Sequence, residues 1–247
     1  MRAVLMLHSI DESGSVLSMT AAQLRSLVRA ISSSGHRILP LAELLSGPVH
    51  EDAVALTFDD GMQTLATTAA PVLAETNTPA TLFLTTGFVG EDNGWPSQPA
   101  DSPRLPLMGW AEITTLKKQG WDIQAHSISH PDLRTLSDTQ LDAELCEPVA
   151  TIRQRLGHTP TLFAYPYGYV DQRVRDHAAR HFQRSVSTRM AVLSAENLTD
   201  LHRIPRLDTY YFRDERVHRH FGHKRFRAYV EARALLRRAR KHPGECR

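Results

Sequence analysis

Short, almost wholly apolar runs recur along this chain, separated by stretches with helical spacing, and that alternation narrows the available folds more than any other feature. Residues 3–7, 53–58, 80–84, 121–125, 161–164 and 184–186 have the length of strands, and 3–7 in particular lacks the polar alternation of a sheet with one wet face. Strands buried on both faces belong to parallel sheets covered by helices. The intervening stretches predict those helices. Thr20 can cap one ending at Ser33, with Leu24, Leu27, Val28 and Ile31 on one face. Gly61 leads into another containing Leu65, Ala69, Val72 and Leu73. Ser137 opens a third through Leu156, with Leu141, Leu145, Val149 and Ile152 inward and Gly157 as its stop. Pro148 falls inside that run, where proline bends a helix.

The 247 residues suit one α/β barrel, which takes about 250. We expect a single barrel domain at 1–210 and a basic, helical extension at 211–247. Residues 91–106 hold Pro96, Pro99, Pro103 and Pro106 without periodicity, and loops of that length are usually functional or disordered. Up to His202 there are 15 basic and 22 acidic residues, whereas the remainder has 14 and 5. The two cysteines, Cys146 and Cys246, suggest neither a disulfide framework nor a zinc site. With no leader-like segment and no membrane-spanning apolar run, the expected compartment is the cytoplasm.

Three clusters follow predicted strands, where an α/β barrel places reactive side chains. In Thr57-Phe58-Asp59-Asp60-Gly61 the adjacent carboxylates repel unless a cation relieves them. Alone, this run is equally a helix cap with an acidic first turn. In His126-Ser127-Ile128-Ser129-His130 two imidazoles four apart can face one ion, although coincidence produces such pairs too. Phe163-Ala164-Tyr165-Pro166-Tyr167-Gly168 forces a sharp turn, either plain or with N–H groups aimed into a site.

Together the three clusters resemble the NodB-homology polysaccharide deacetylases, carbohydrate esterase family 4, over roughly residues 3–210. The likeness extends through Thr81-Leu82-Phe83-Leu84, Trp110-Ala111-Glu112 and His130-Pro131-Asp132-Leu133. The family's usual Leu-x-His-Asp closes its domain; here a similar Met6-Leu7-His8-Ser9 opens it, as in the permuted branch acting on poly-N-acetylglucosamine. The resemblance implies a distorted (β/α) barrel of about seven strands that removes N-acetyl groups from an amino sugar. It implies one divalent metal on Asp60, His126 and His130, most simply zinc, with cobalt, nickel, manganese or iron as alternatives. Asp59 becomes the general base, His8 the general acid, and the Tyr167 backbone N–H an oxyanion donor. Met6, Trp110, Tyr165 and Pro166 become candidate substrate contacts.

The chain departs from the family at Ala164, where many relatives carry an arginine that orients the base; Arg206 is the candidate replacement. A clear Asp-x-x-Asp-Trp segment is also missing. Competing readings are an amidohydrolase acting on an imide or formamide, and a non-catalytic carbohydrate-binding barrel. The helix expected at 226–241, with Phe226, Tyr229, Val230 and Leu236 loosely on one side, is read as docked on the barrel. The alternative is a basic surface contacting a membrane or glycosyltransferase. Nucleic acid is not an expected partner.

Overall fold

The computed structural model describes residues 1–48 and 50–239. In chain order its elements are β1 (Arg2–Leu7), β2 (Ser9–Ile10), β3 (Ser18–Met19), α1 (Ala21–Ser33), β4 (Arg37–Ile38), α2 (Leu41–Ser46) and β5 (Ala53–Phe58). There follow α3 (Ala70–Ala74), β6 (Thr81–Leu84), α4 (Trp110–Lys118), β7 (Asp122–Ala125), α5 (Asp138–Leu156) and β8 (Leu162–Ala164). The chain then forms α6 (Gln172–His181), β9 (Arg184–Val186), β10 (Leu207–Asp208), α7 (Glu215–His218) and α8 (Lys224–Ala239). The six expected strands are present, with ends shifted by at most one residue.

The main sheet runs β10-β1-β5-β6-β7-β8-β9, all parallel, with β4 beside the start of β5. This seven-strand path curls into a single-domain (β/α) barrel. Residues 204–208 join its ends: Ile204 bridges Val186 of β9, and Leu207 pairs with Leu5 of β1. β1 therefore lies beside β5, and a motif at its end can serve a site on β5 despite its place early in the chain.

The two-residue period of the strands sorts their side chains. Ala3, Leu5, Leu7, Val54, Leu56, Phe58, Ile123 and Ala125 join the layer shared with the helices. Val4, Ala53, Ala55, Phe83, Leu162, Ala164 and Val186 form a second layer, inside the barrel. Met6, His8, Thr57, Asp59 and His126 fall in step with this second set. Their positions at the strand ends bring them to the barrel mouth.

Both long helices begin as expected. Thr20 and Gln23 make a reciprocal capping box for α1, and Ser137 and Gln140 make one for α5. Gly157 ends α5 in the left-handed conformation. Pro148 is buried inside α5, which continues past it, and Val149 is only half-buried. The helix expected from Gly61 starts later. A π-turn over Leu65–Ala69 precedes α3, and its wider spacing accommodates Pro71, which has no N–H to donate.

In α8, Phe226, Val230 and Ala234 are buried against the barrel, with Tyr229 half-buried. Leu236 is a correction, being 50% exposed because its helical phase turns it away from that seam. The end of the predicted helix at Lys241, together with Cys246, lies outside the described residues. Among the described residues no helix is long and apolar enough to cross a membrane.

Candidate active site

Four of the five non-glycine residues with positive φ in the described chain are Asp60 (75°), Ser127 (67°), His130 (53°) and Tyr167 (58°). Left-handed backbone is costly for such residues and concentrates where tertiary contacts hold functional geometry. All four follow strands β5, β7 and β8. The sharp turns let side chains from neighbouring loops converge at the barrel mouth.

The convergence centres on Asp60. His126 Nε2 and His130 Nε2 each lie 3.4 Å from Asp60 Oδ1, and all three residues are buried. Their ligand atoms lie within 4.8 Å of one another, the one such group among the described residues. His126 Nδ1 lies 2.7 Å from the Ala164 carbonyl, which can only accept, so this nitrogen carries the proton. In a neutral ring, Nε2 then presents a lone pair to a carboxylate oxygen, an arrangement that repels unless a cation sits between them. Asp60 Oδ1, buried and without a hydrogen-bond partner, completes a donor set suited to a divalent transition metal.

Different devices aim the two imidazoles. His126 is held by its bond to Ala164 O, while His130 packs against Trp95 and Tyr167, with ring centroids 4.3 and 4.4 Å away. The proline-rich 91–106 loop supplies Trp95 and ties itself down beside the histidines. Trp95 Nε1 donates to Tyr167 Oη at 3.0 Å, and Ser97 Oγ donates to the His130 carbonyl at 2.6 Å. Beneath the 126–130 loop, Glu144 of α5 accepts from Ile128 N and Ser129 N at 2.8 and 3.0 Å. Sequence reasoning missed Glu144. Its signal was a carboxylate on the inward-turning part of α5, next to Leu141 and Leu145.

Asp59 has a partner of its own. Arg206 Nη1 and Nη2 donate to its two carboxylate oxygens, each at 2.7 Å, and Nη1 also reaches Thr57 Oγ1 at 3.2 Å. Both residues are buried, and Arg206 Nε is held by Ser187 O at 3.1 Å. The guanidinium that faces Asp59 thus comes from the segment leading into β10. Burial alone would raise the Asp59 carboxyl pKa; Arg206, with His126 and His8, outweighs it and brings it below the ordinary carboxylate value. Burial likewise opposes ionisation of Asp60, but the facing His126 and His130 hold it low. His130 is shifted down by burial, which favours the neutral ring a metal requires.

A cavity of about 250 Å³ opens over these groups, and Met6, His8, Asp59, Asp60, Tyr167 and Arg237 are among the residues lining it. Asp59 N donates to Leu7 O at 3.0 Å, fixing the His8 strand end beside the paired acids. The substrate contacts expected from sequence divide. Met6 lines the cavity. Tyr165 touches it, but only 1% of Tyr165 is exposed and its hydroxyl donates to His202 O at 3.0 Å, because its strand phase points outward. Trp110 and Pro166 are corrections: neither lines the cavity. Trp110 begins α4, with the Arg155 guanidinium 5.6 Å above its ring, and Pro166 is buried in the turn before Tyr167.

Gly168 completes that turn at φ 72°, where a Cβ would collide with Thr188 Oγ1. Gly168→Ala is therefore expected to destabilise the fold by about 1–3 kcal/mol from the backbone strain alone. Urea unfolding measures this, and an unchanged midpoint would show that the turn relaxes freely.

Residues 46–185 match the family profile described as polysaccharide deacetylase. Chitin deacetylase 1 of Cryptococcus neoformans is 33% identical over 125 residues, covering 51% of this chain and 23% of that protein. A Staphylococcus aureus poly-beta-1,6-N-acetyl-D-glucosamine N-deacetylase is 27% identical over 170 residues, covering 62% of this chain and 55% of that one. The chain thus spans about half or less of the length of these curated relatives. Streptococcus pyogenes deacetylase PplD, solved in complex with acetate, superposes with a TM-score of 0.71 at 21% identity, covering 84% of this chain and 91% of that one. IcaB from Ammonifex degensii gives 0.70 at 19%, covering 84% and 93%. These two structures establish the shared fold. With the profile match extending over more than half of its residues, the chain belongs to the polysaccharide deacetylase family.

Proposed function

We propose that this protein is a metal-dependent hydrolase that removes N-acetyl groups from an amino sugar in an oligo- or polysaccharide or a glycan precursor. The observation that carries the reading is the buried Asp60–His126–His130 cluster with a second, separately paired carboxylate beside it. A divalent cation bound there supplies Lewis acidity, polarising the amide carbonyl and bringing the pKa of water towards about 7.

The chain's own groups do the rest. Asp59 accepts the proton of the attacking water. Arg206 occupies two of its roughly four lone-pair positions, leaving others available while keeping the carboxylate ionised. The Tyr167 backbone N–H donates to the oxyanion, a contact whose loss typically costs about 10²–10³ in rate. His8 protonates the departing amine, because an amide nitrogen leaves poorly as an anion. Met6, two residues earlier on the same strand face, offers apolar contact to the acetyl methyl.

The test is metal removal. Chelation is expected to abolish acetate release from N-acetylglucosamine oligomers, and zinc or cobalt added back restores it. Elemental analysis should find about one ion per chain, in line with one three-residue ligand set. Metal-free protein working at the full rate would overturn the reading.

A further inference from the structure

Two of the three candidate metal ligands, His126 and His130, stand at opposite ends of the turn that follows β7. The backbone of that turn is held in an unfavourable shape. Ser127 and His130 have φ of 67° and 53°, a region costly for residues with side chains unless the surroundings enforce it. Part of the enforcement is local or comes from the end of β6. His130 N donates to Ser127 Oγ at 2.9 Å, while Thr86 N and Gly87 N donate to Ser127 O and Ile128 O at 3.1 and 2.9 Å. Three further donors of the turn all go to one side chain, Glu144 of α5. Its Oε2 accepts from Ile128 N and Ser129 N at 2.8 and 3.0 Å, and its Oε1 from Ser129 Oγ at 2.5 Å.

The helix itself has no use for that carboxylate. Its neighbours one turn away on α5 are Gln140, Leu141, Glu147 and Pro148, none of them cationic. Leu141 and Leu145 are fully buried and seat this part of α5 on the barrel, so the carboxylate is presented from a rigid support. Glu144 is not among the residues lining the active-site cavity, and its reach ends at the turn.

We infer, resting on the metal-dependent reading above, that Glu144 is a positioning residue. By pinning Ile128 and Ser129 it sets the spacing of the His126 and His130 imidazoles in advance of metal binding, and thereby the affinity of the site. Released from Glu144, the turn relaxes away from left-handed backbone and the two rings drift apart. Binding an ion then has to order the turn again, and that ordering is subtracted from the affinity.

Zinc affinity of metal-free, full-length protein, measured by competition with a chromophoric chelator, tests this without turnover. Glu144→Ala is expected to weaken zinc binding by about 10–100-fold, the usual effect of losing a group that orients metal ligands. Glu144→Gln keeps an oxygen for both backbone N–H groups and offers its amide N–H to Ser129 Oγ, so it is expected to recover most of the loss. Glu144→Asp keeps the charge but stops one methylene short of the turn, and is expected to bind zinc as weakly as Glu144→Ala. Glu147→Ala, which removes an exposed acid three residues further along α5, stays within about twofold of wild type. Cobalt-substituted protein supplies a second readout. Its visible absorption bands report ligand geometry and are expected to shift in Glu144→Ala. A group that only steadied α5 would lower the urea midpoint and leave bands and affinity in place.

Equal zinc affinity in wild type and Glu144→Ala overturns the inference. So does Glu144→Asp at wild-type affinity, which would make bare charge the cause, and so does Glu144→Gln as weak as Glu144→Ala. Where Glu144→Ala does not fold, the contrast between Glu144→Gln and Glu144→Asp carries the test. A wild-type protein that binds no zinc defeats the metal-dependent reading itself, whereas zinc binding indifferent to Glu144 defeats this inference alone.

Discussion

Asp59→Asn is expected to lower acetate release by about 10²–10⁴-fold, the usual contribution of a positioned general base, while metal content stays near one ion per chain. The two observables separate because adjacent acids have different partners. Asp60 faces the imidazoles, whereas both Asp59 oxygens are engaged by Arg206. Asparagine preserves the shape and one acceptor but has no basic carboxylate. Steady-state kinetics with elemental analysis of the same sample makes the comparison. A variant at the wild-type rate would remove Asp59 from the mechanism; inactivity accompanied by metal loss would make it part of the metal site instead.

Arg206→Met is expected to be the most destabilising single change, at about 3–5 kcal/mol, because it strands a buried carboxylate. The loss should depend on pH. In the native protein the Asp59 pKa lies below its unfolded value, so the pair contributes fully above that value and is lost as pH falls through the folded one. Without the guanidinium, burial is opposed only by His126 and His8, and the Asp59 pKa is expected to rise. The variant's penalty is then greatest at neutral pH and shrinks on acidification, as the carboxyl takes up a proton. Urea unfolding of metal-free protein at pH 7 and pH 5 measures the difference between the two chains. Asp59→Asn combined with Arg206→Met should recover part of the loss, since neither charge remains. A penalty of the same size at both pH values, with no recovery in the double variant, would show that Arg206 acts through packing alone.

The sequence made the barrel legible where strands were buried on both sides, as in β1 and β5, because continuous apolar runs need little context to be read. The Asp59-Asp60 cluster could be placed because it directly follows such a strand, and His126–His130 because it follows the shorter, more polar β7. Short elements gave no comparable signal. β4 begins with exposed Arg37, and β10 has two residues whose pairing depends on β1, some two hundred positions earlier. The contact between Arg206 and Asp59 was open to suspicion only through the missing cation at Ala164. Trp110 and Pro166 were misplaced because motif proximity does not specify which way a ring points. Glu144 was missed because its role lies in two backbone N–H groups that become its neighbours only after folding.

The joining of the barrel by residues 204–208 separates two capacities in time. During synthesis, all three candidate metal ligands have been made once residue 130 is added, but the guanidinium that steadies the neighbouring acid comes 76 residues later. A chain halted between those points has the three candidate ligands but lacks the counter-charge for Asp59. On the deacetylase reading, the candidate base is therefore paired only in molecules in which the segment leading into the final strand has been inserted.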